Sequence, residues 1–379
     1  MKLLRHLIVA GIAVSALAQL SLGNAQSVKI GLVGIMTGPN AQNGEFCRNG
    51  AMLALDEINA AGGVKTPDGK THKLALEVVD DQGKPDVGLN AIRRLASDAE
   101  VVAFMGPDFT GITLPSLFVG EEAGMAQITS SIGAQVTAQG NKHILRGRSN
   151  DQMWMTALVD YIGKTLKVKS VGVSFTNVEL GRSGRDVAVK SLAEKYNLKP
   201  AVEVSHSAGD RDLTASAARI MQANPDVLIN WGTQIEAALL LRTLRQLGWK
   251  GVFAFNAADD IFVNLAKESA VGVVGPQNWV WSKPDEGTKK FVNAYEAKYG
   301  KKPSPHSIVY YDGVKMYAEA IAKGGPVRRD VLASLKAMPA WKGVQGTYQP
   351  NEKAGDTIAS TVIIRYDAKL NPEVVFSAN

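Results

Sequence analysis

The stretch Leu76–Gly106, LEVVDDQGKPDVGLNAIRRLASDAEVVAFMG, reads as strand, turn, helix and strand, and the chain writes it twice. Laid over Val202–Gly232, VEVSHSAGDRDLTASAARIMQANPDVLINWG, 126 positions later, it matches without a gap. Glu77 meets Glu203, Val78 meets Val204, Gly83 meets Gly209, Asp86 meets Asp212, Ala91 meets Ala217, Arg93 meets Arg219, Val101 meets Val227 and Gly106 meets Gly232. Any two strand–helix–strand units share apolar positions. Agreement at turn glycines as well predicts a duplicated lobe.

Outward from this unit, β-branched runs alternate with helical patterns. Lys29–Gly34 precedes a helix near Glu45–Ala60, in which Ala51, Leu55 and Ile58 share one face. Ser170-Val171-Gly172 repeats Lys29-Ile30-Gly31 in the second unit. The alternation predicts an α/β fold of two Rossmann-like, doubly wound lobes. Further strands near Gly251–Phe255, Gly272–Gln277 and Ser360–Tyr366, with helices near Glu286–Tyr299 and Ser307–Lys323, must complete both lobes. The chain therefore crosses between them near Arg146–Ser149, Gly275–Gln277 and Gly346–Gly355, a three-strand hinge. The expected division is a leader over 1–25, one lobe from 26–148 with 277–350, and the other from 149–276 with 351–379.

Lys2, Arg5 and His6, the apolar run Leu7–Leu17 and the small residues Gly23-Asn24-Ala25 form the pattern of a cleavable export signal. Cys47 is the sole cysteine, so no intrachain disulfide is possible, and its distance from the expected cut excludes a lipid anchor. The periplasm is the expected location. Of 379 residues, 45% are hydrophobic and 21% charged, a globular balance. Losing Lys2 and Arg5 with the leader lowers the formal charge from +6 to +4. The lysines are scattered without interleaved aromatics, so no nucleic-acid surface is expected.

Ligands of open α/β sheets sit beyond the carboxyl ends of strands, where loops enter helices. Three such loops stand out: Thr37–Gly44, the segment Gly106–Thr113 (GPDFTGIT) with Asp108, Phe109 and Thr110, and Ile128–Gly133 with Ser130, Ser131 and Gly133. GPDFTGIT has P-loop glycine spacing but Ile112 in place of the lysine, which points to a carboxylate and not a nucleotide. Arg148, at the first crossing, is a candidate to pair with that carboxylate. Asp80-Asp81 reads as a pair of solvated turn acids, and Trp279 and Trp281 as alternate positions of a strand in which core packing outweighs ligand stacking. His72, His143, His206 and His306 are widely spaced, so neither a metal site nor a cofactor is expected. No nucleophile–base constellation, nucleophile elbow or dinucleotide fingerprint is visible, and catalysis is not expected.

TGPNAQNGEFCRNGAMLALDEINAAGG (37–63) followed by VVDDQGKPDVGLNAIRRLASDAEVVAFMGP (78–107) resembles the leucine/isoleucine/valine-binding protein family, periplasmic receptors of ABC importers with the type I periplasmic-binding fold. The resemblance extends from Val28 to the C-terminus. It implies that Thr110 and the turn around Ser131 and Gly133 hold a ligand carboxylate, and that an acid near Ala258 or Asp259 pairs with an α-ammonium. Departures from the family pattern are Asn43 for an aromatic, Gly133 for threonine, Leu180 for tyrosine and Gln234 for another tyrosine. The implied protein is a monomeric receptor that delivers a small carboxylate-bearing ligand to a membrane permease. A hydrophobic or branched-chain amino acid is the first expectation, an aromatic carboxylate or amide the alternative, and a sensor domain sharing the fold a further one.

Overall fold

The structure, a computed structural model, describes residues 27–350, 355–357 and 361–378. The expected leader lies outside the described residues. Ser27–Gly34 (β1), Val64–Lys65 (β2), Thr71–Asp80 (β3), Val101–Met105 (β4), Ala126–Thr129 (β5) and Ile144–Arg146 (β6) form one sheet in the order β2-β3-β1-β4-β5-β6. Val171–Thr176 (β7), Val202–His206 (β8), Val227–Trp231 (β9), Val252–Phe255 (β10) and Val274–Gln277 (β11) belong to a second. Trp341–Lys342 (β12) and Thr347–Tyr348 (β13) make a small antiparallel ribbon, and Thr361–Tyr366 (β14) and Pro372–Ala378 (β15) close the second sheet as β15-β14-β11-β10-β9-β7-β8.

The repeat seen in the sequence is thus a repeat of topology. The run β3-β1-β4-β5-β6 matches β8-β7-β9-β10-β11, parallel at every pairing. Its shared glycines have a steric cause. Gly83 and Gly209 turn with φ of +69° and +87°, a region that L side chains avoid. Gly106 ends β4 with φ +85°, and a Cβ there would stand 1.9 Å from the Val33 carbonyl oxygen of β1. At the equivalent Gly232 a Cβ would stand 2.1 Å from Thr176 Oγ1 of β7.

Each sheet is buried by helices. β4 is apolar and buried throughout, as a strand covered on both faces must be. Ala41–Ala60, Glu286–Tyr299, Pro305–Gly324 and Arg328–Lys336 supply the core against the first sheet, while the described residues of the second sheet pack against Asp151–Asp160, Glu179–Tyr196 and Gln234–Gln246. Two expectations are corrected here. β11 stops at Gln277, so Trp279 and Trp281 are not in a strand. Trp279 packs against Phe291 at 5.7 Å and donates from Nε1 to Thr288 Oγ1 at 3.0 Å. Asp81 is no solvated acid: fully buried, it accepts from Gly83 N–H at 2.8 Å, and burial pushes its carboxyl up to about 6.

The crossings between the sheets lie side by side. Arg146 N–H donates to the Gly355 carbonyl at 2.7 Å, and Gln345 Nε2, beside Asn278, donates to the Gly147 carbonyl at 2.7 Å. Asp312 fixes the ribbon by accepting from Val344 N–H, Gln345 N–H and the Tyr348 hydroxyl.

Two outcomes follow. Gly106→Ala should lose about 3 kcal/mol in urea unfolding, because it adds both a strained φ and a backbone clash. Burial raises the Asp312 carboxyl to about 6 from 3.8, so the native state takes up its proton first and gains stability as pH falls from 6 toward 3.8. Asp312→Asn lacks that gain. Its deficit relative to wild type should therefore widen between pH 7 and pH 4, and a constant deficit would show that Asp312 titrates normally.

Candidate functional site

Residues just beyond the carboxyl ends of β4, β6, β7, β9, β10 and β11 converge on one cavity of about 250 Å³ between the two sheets. The helices beginning at Glu179, Gln234, Asp260 and Pro305 all start at its wall, so the positive ends of their dipoles face it. Phe109, Ile112, Ile132, Trp154, Val178 and Leu180 give it an apolar body. Its polar end is built from Asp108, Arg148, Asp259 and His306, all less than a tenth exposed.

Arg148 is buried at the first crossing. Its Nε donates to the Ser130 carbonyl and its guanidinium lies 5.2 Å from the centroid of the Trp154 ring. The terminal nitrogens make no hydrogen bond among the described residues, and no carboxylate there comes within ion-pair distance. That leaves two parallel donors in the fork geometry that fits a carboxylate. Burial lowers the Arg148 pKa, opposed by Asp108.

His306 stands between two acids. Nδ1 is 3.1 Å from Asp108 Oδ2, and Nε2 is 3.6 Å from Asp259 Oδ2. Burial works against its charge, but Asp108 and then Asp259 outweigh burial and hold it protonated well above the ordinary histidine range. Burial likewise pushes Asp108 up, and His306 followed by Arg148 outweighs that, leaving its carboxyl below the usual range. Asp259 caps the helix Asp260–Ala266 through Phe262 N–H at 3.0 Å and accepts from Gln234 Nε2 at 3.3 Å. Donor atoms of Cys47, Asp108 and His306 approach within 4.8 Å of one another. Burial pushes the Cys47 thiol up to about 11, and His306 bridges it to Asp108 in one buried hydrogen-bonded network.

Of the residues singled out in the sequence, Asp108, Phe109, Thr110, Arg148, Leu180, Gln234 and Asp259 line the cavity. Asn43, Ser130, Ser131 and Gly133 do not. Asn43 is buried within Ala41–Ala60, and the other three stand one layer back. The Ser130 hydroxyl is spent on Asp108. Thr110 Oγ1 accepts from Gly133 N–H at 3.1 Å and pairs with Ser131 Oγ at 3.0 Å. A Cβ on Gly133 would come within 2.4 Å of Thr110 Cγ2, which is why no larger residue fits beside this threonine. His306, Trp154, Asn256, Glu179 and Gln277 line the cavity without having been singled out. Only His306 carried a usable signal: Ser304-Pro305-His306 is a helix start, with serine as N-cap and proline in the first turn.

Two topologically matched α/β lobes around an apolar cleft with a charged end define the two-lobe class of ligand-binding proteins. The chain matches the periplasmic binding protein family over residues 27–370 and belongs to it, within the branch of leucine/isoleucine/valine-binding proteins. It is 31% identical to an amino acid binding protein of Pseudomonas aeruginosa across 97% of both chains, and 27% identical to Leu/Ile/Val-binding protein homolog 1 of Brucella abortus across 96% of this chain and 97% of that one. The fold is also that of the branched-chain amino acid transporter substrate-binding protein LivJ of Streptococcus pneumoniae, solved with isoleucine, with a TM-score of 0.84 at 23% identity over 93% of this chain and 99% of LivJ.

Thr110 sits at a buried turn and not, as a surface loop would have it, in solvent. Thr110→Val keeps its shape but strips the Gly133 N–H of its acceptor, which should cost about 1–3 kcal/mol in urea unfolding and weaken ligand binding with it. A variant that binds normally and unfolds normally would remove this hydroxyl from the wall.

Proposed function

We propose that this chain is the periplasmic solute receptor of an ABC importer, taking a small carboxylate-bearing ligand, foremost a hydrophobic or branched-chain amino acid, into the interlobe cleft and delivering it to a membrane permease. The observation that carries the reading is the buried Arg148 guanidinium, whose two terminal nitrogens have no protein partner among the described residues while its Nε is fixed to the Ser130 carbonyl. Relatives that are amino acid binders support the ligand class, and the apolar wall of Phe109, Ile132, Trp154 and Leu180 supports an uncharged body.

The moving parts in this reading are 26–148 with 277–350 against 149–276 with 351–379. A ligand touching Thr110 on one lobe and Gln234 on the other makes both contacts only when the cleft is closed, so it shifts the population toward the closed form. The permease then reads that form. Residues 1–25 direct export and are removed, and the mature monomer works without cofactor or catalysis, returning its ligand chemically unchanged.

The test is calorimetry on the mature chain, refolded to strip carried-over ligand, against leucine, phenylalanine and cinnamate. Micromolar binding of the amino acids, about −8 kcal/mol, is expected. Arg148→Ala should weaken every carboxylate ligand by at least about thirtyfold, the lower end of the loss for a buried charged pair. Binding that survives this change would place the carboxylate elsewhere.

A further inference from the structure

The two buried carboxylates of the cleft, Asp108 and Asp259, have unequal freedom, and the asymmetry centres on one residue. An acid can hold a ligand ammonium only if no other cation neutralises it. Asp259 Oδ1 is engaged by Phe262 N–H, while Oδ2 faces both Gln234 Nε2 and, at 3.6 Å, His306 Nε2. The other ring nitrogen of His306 is tied to Asp108. Around the imidazole stand Cys47 from the helix Ala41–Ala60, Asp108 from the loop after β4, Arg148 from the first crossing, Tyr310 from the next turn of its own helix, and Asp259 with Asp260 behind it. Burial holds the Cys47 thiol and the Tyr310 hydroxyl neutral. The anionic partners of His306 among the described residues are therefore Asp108 and Asp259, and Arg148 lines the same cavity.

Resting on the carboxylate-receptor reading above, we propose that His306 is the residue that sets how strongly the cleft rewards a ligand ammonium: it shares Asp259 with that ammonium, and so narrows the advantage of an amino acid over the same acid without one. An amino acid must compete with the His306 ring for Asp259 and place its ammonium beside an existing cation. A desamino acid meets Arg148 with its carboxylate and leaves the Asp108–His306–Asp259 chain intact. Loss of the His306 charge leaves two acids facing one arginine, a cleft that welcomes a cation.

The experiment compares phenylalanine with 3-phenylpropionate, which differ only in the ammonium, by calorimetry on wild type, His306→Gln and His306→Lys. The affinity ratio of amino acid to desamino acid should rise at least tenfold in H306Q and stay near the wild-type value in H306K, which keeps a cation in place. A structural role alone would weaken both ligands and leave the ratio still. An unchanged ratio in H306Q with both ligands bound overturns the assignment while leaving the receptor reading standing. Failure of wild type to bind any carboxylate, leucine and cinnamate included, overturns that reading and this inference with it. Should H306Q not fold, His306→Asn removes the same charge with a smaller side chain: the ratio should again rise at least tenfold, and an unchanged ratio is equally fatal.

Discussion

Chain crossings held side by side are the constraint on which the rest of this molecule depends, and Arg146 is the group that ties the first of them to the last. Its guanidinium is fully buried, with Nε 2.6 Å from Asp356, one terminal nitrogen donating to Thr137 Oγ1 at 2.8 Å and the other to the Ser131 carbonyl. Its backbone N–H and carbonyl bond to Gly355 and Thr357. A charge taken this far from water is tolerated only when every donor is satisfied, and removing a partner leaves an uncompensated ion at a cost of about 3–5 kcal/mol. Because these partners come from the β5–β6 region and from residues 355–357, the charge ties the return of the chain to its first crossing. Arg148, two residues on, can then be aimed into the cleft from a rigid base.

Duplication sets the geometry of that cleft. In parallel sheets covered by helices on both faces, the crevice beyond the carboxyl ends of the strands is where ligands bind, and two such sheets meeting there bring loops and helix N-termini together from both sides. The wall is consequently donor-rich and positive in tendency, which the buried acids Asp108 and Asp259 offset. Glu179, which accepts from Gln135 Nε2 at 2.6 Å, adds a contact between the helix after β7 and the loop after β5. Burial raises its carboxyl above the ordinary range.

Much of the fold was legible because its constraints are local. Gly83, Gly106, Gly209 and Gly232 recur at matched positions since positive φ or a crowding neighbouring strand excludes a side chain, and sequence records such exclusions directly. The strand and helix succession was legible from apolar periodicity for the same reason. What failed to show was tertiary. Asp81 reads as a turn acid from its neighbours, yet packing around Gly88 and the surrounding turn buries it. Trp279 and Trp281 alternate as a strand would, but the chain leaves β11 at Gln277 to reach the next helix. His306 lies 198 positions from Asp108, and no spacing rule joins them. Ser130 and Ser131 carry hydroxyls as a ligand loop should, but the fold turns those groups to Asp108 and Thr110, one layer behind the cavity.

That second layer bears on how the first can be rigid while charged. Asp108 is held by His306, by the Ser130 hydroxyl and by proximity to Arg148, and Ser130 in turn holds the Arg148 Nε through its carbonyl. Asp108, Arg148, His306 and Asp259 are thereby linked through their neighbours to groups of opposite sign. In a low-dielectric site such a closed circuit is strong when complete and costly when broken. An incoming ligand cannot be accommodated by one residue alone: to engage Arg148 or Asp259 is to change the field at His306 and Asp108 together. On the proposed reading, selectivity rests on which rearrangements of these mutually dependent charges a ligand can make good, as well as on the outline of the apolar wall.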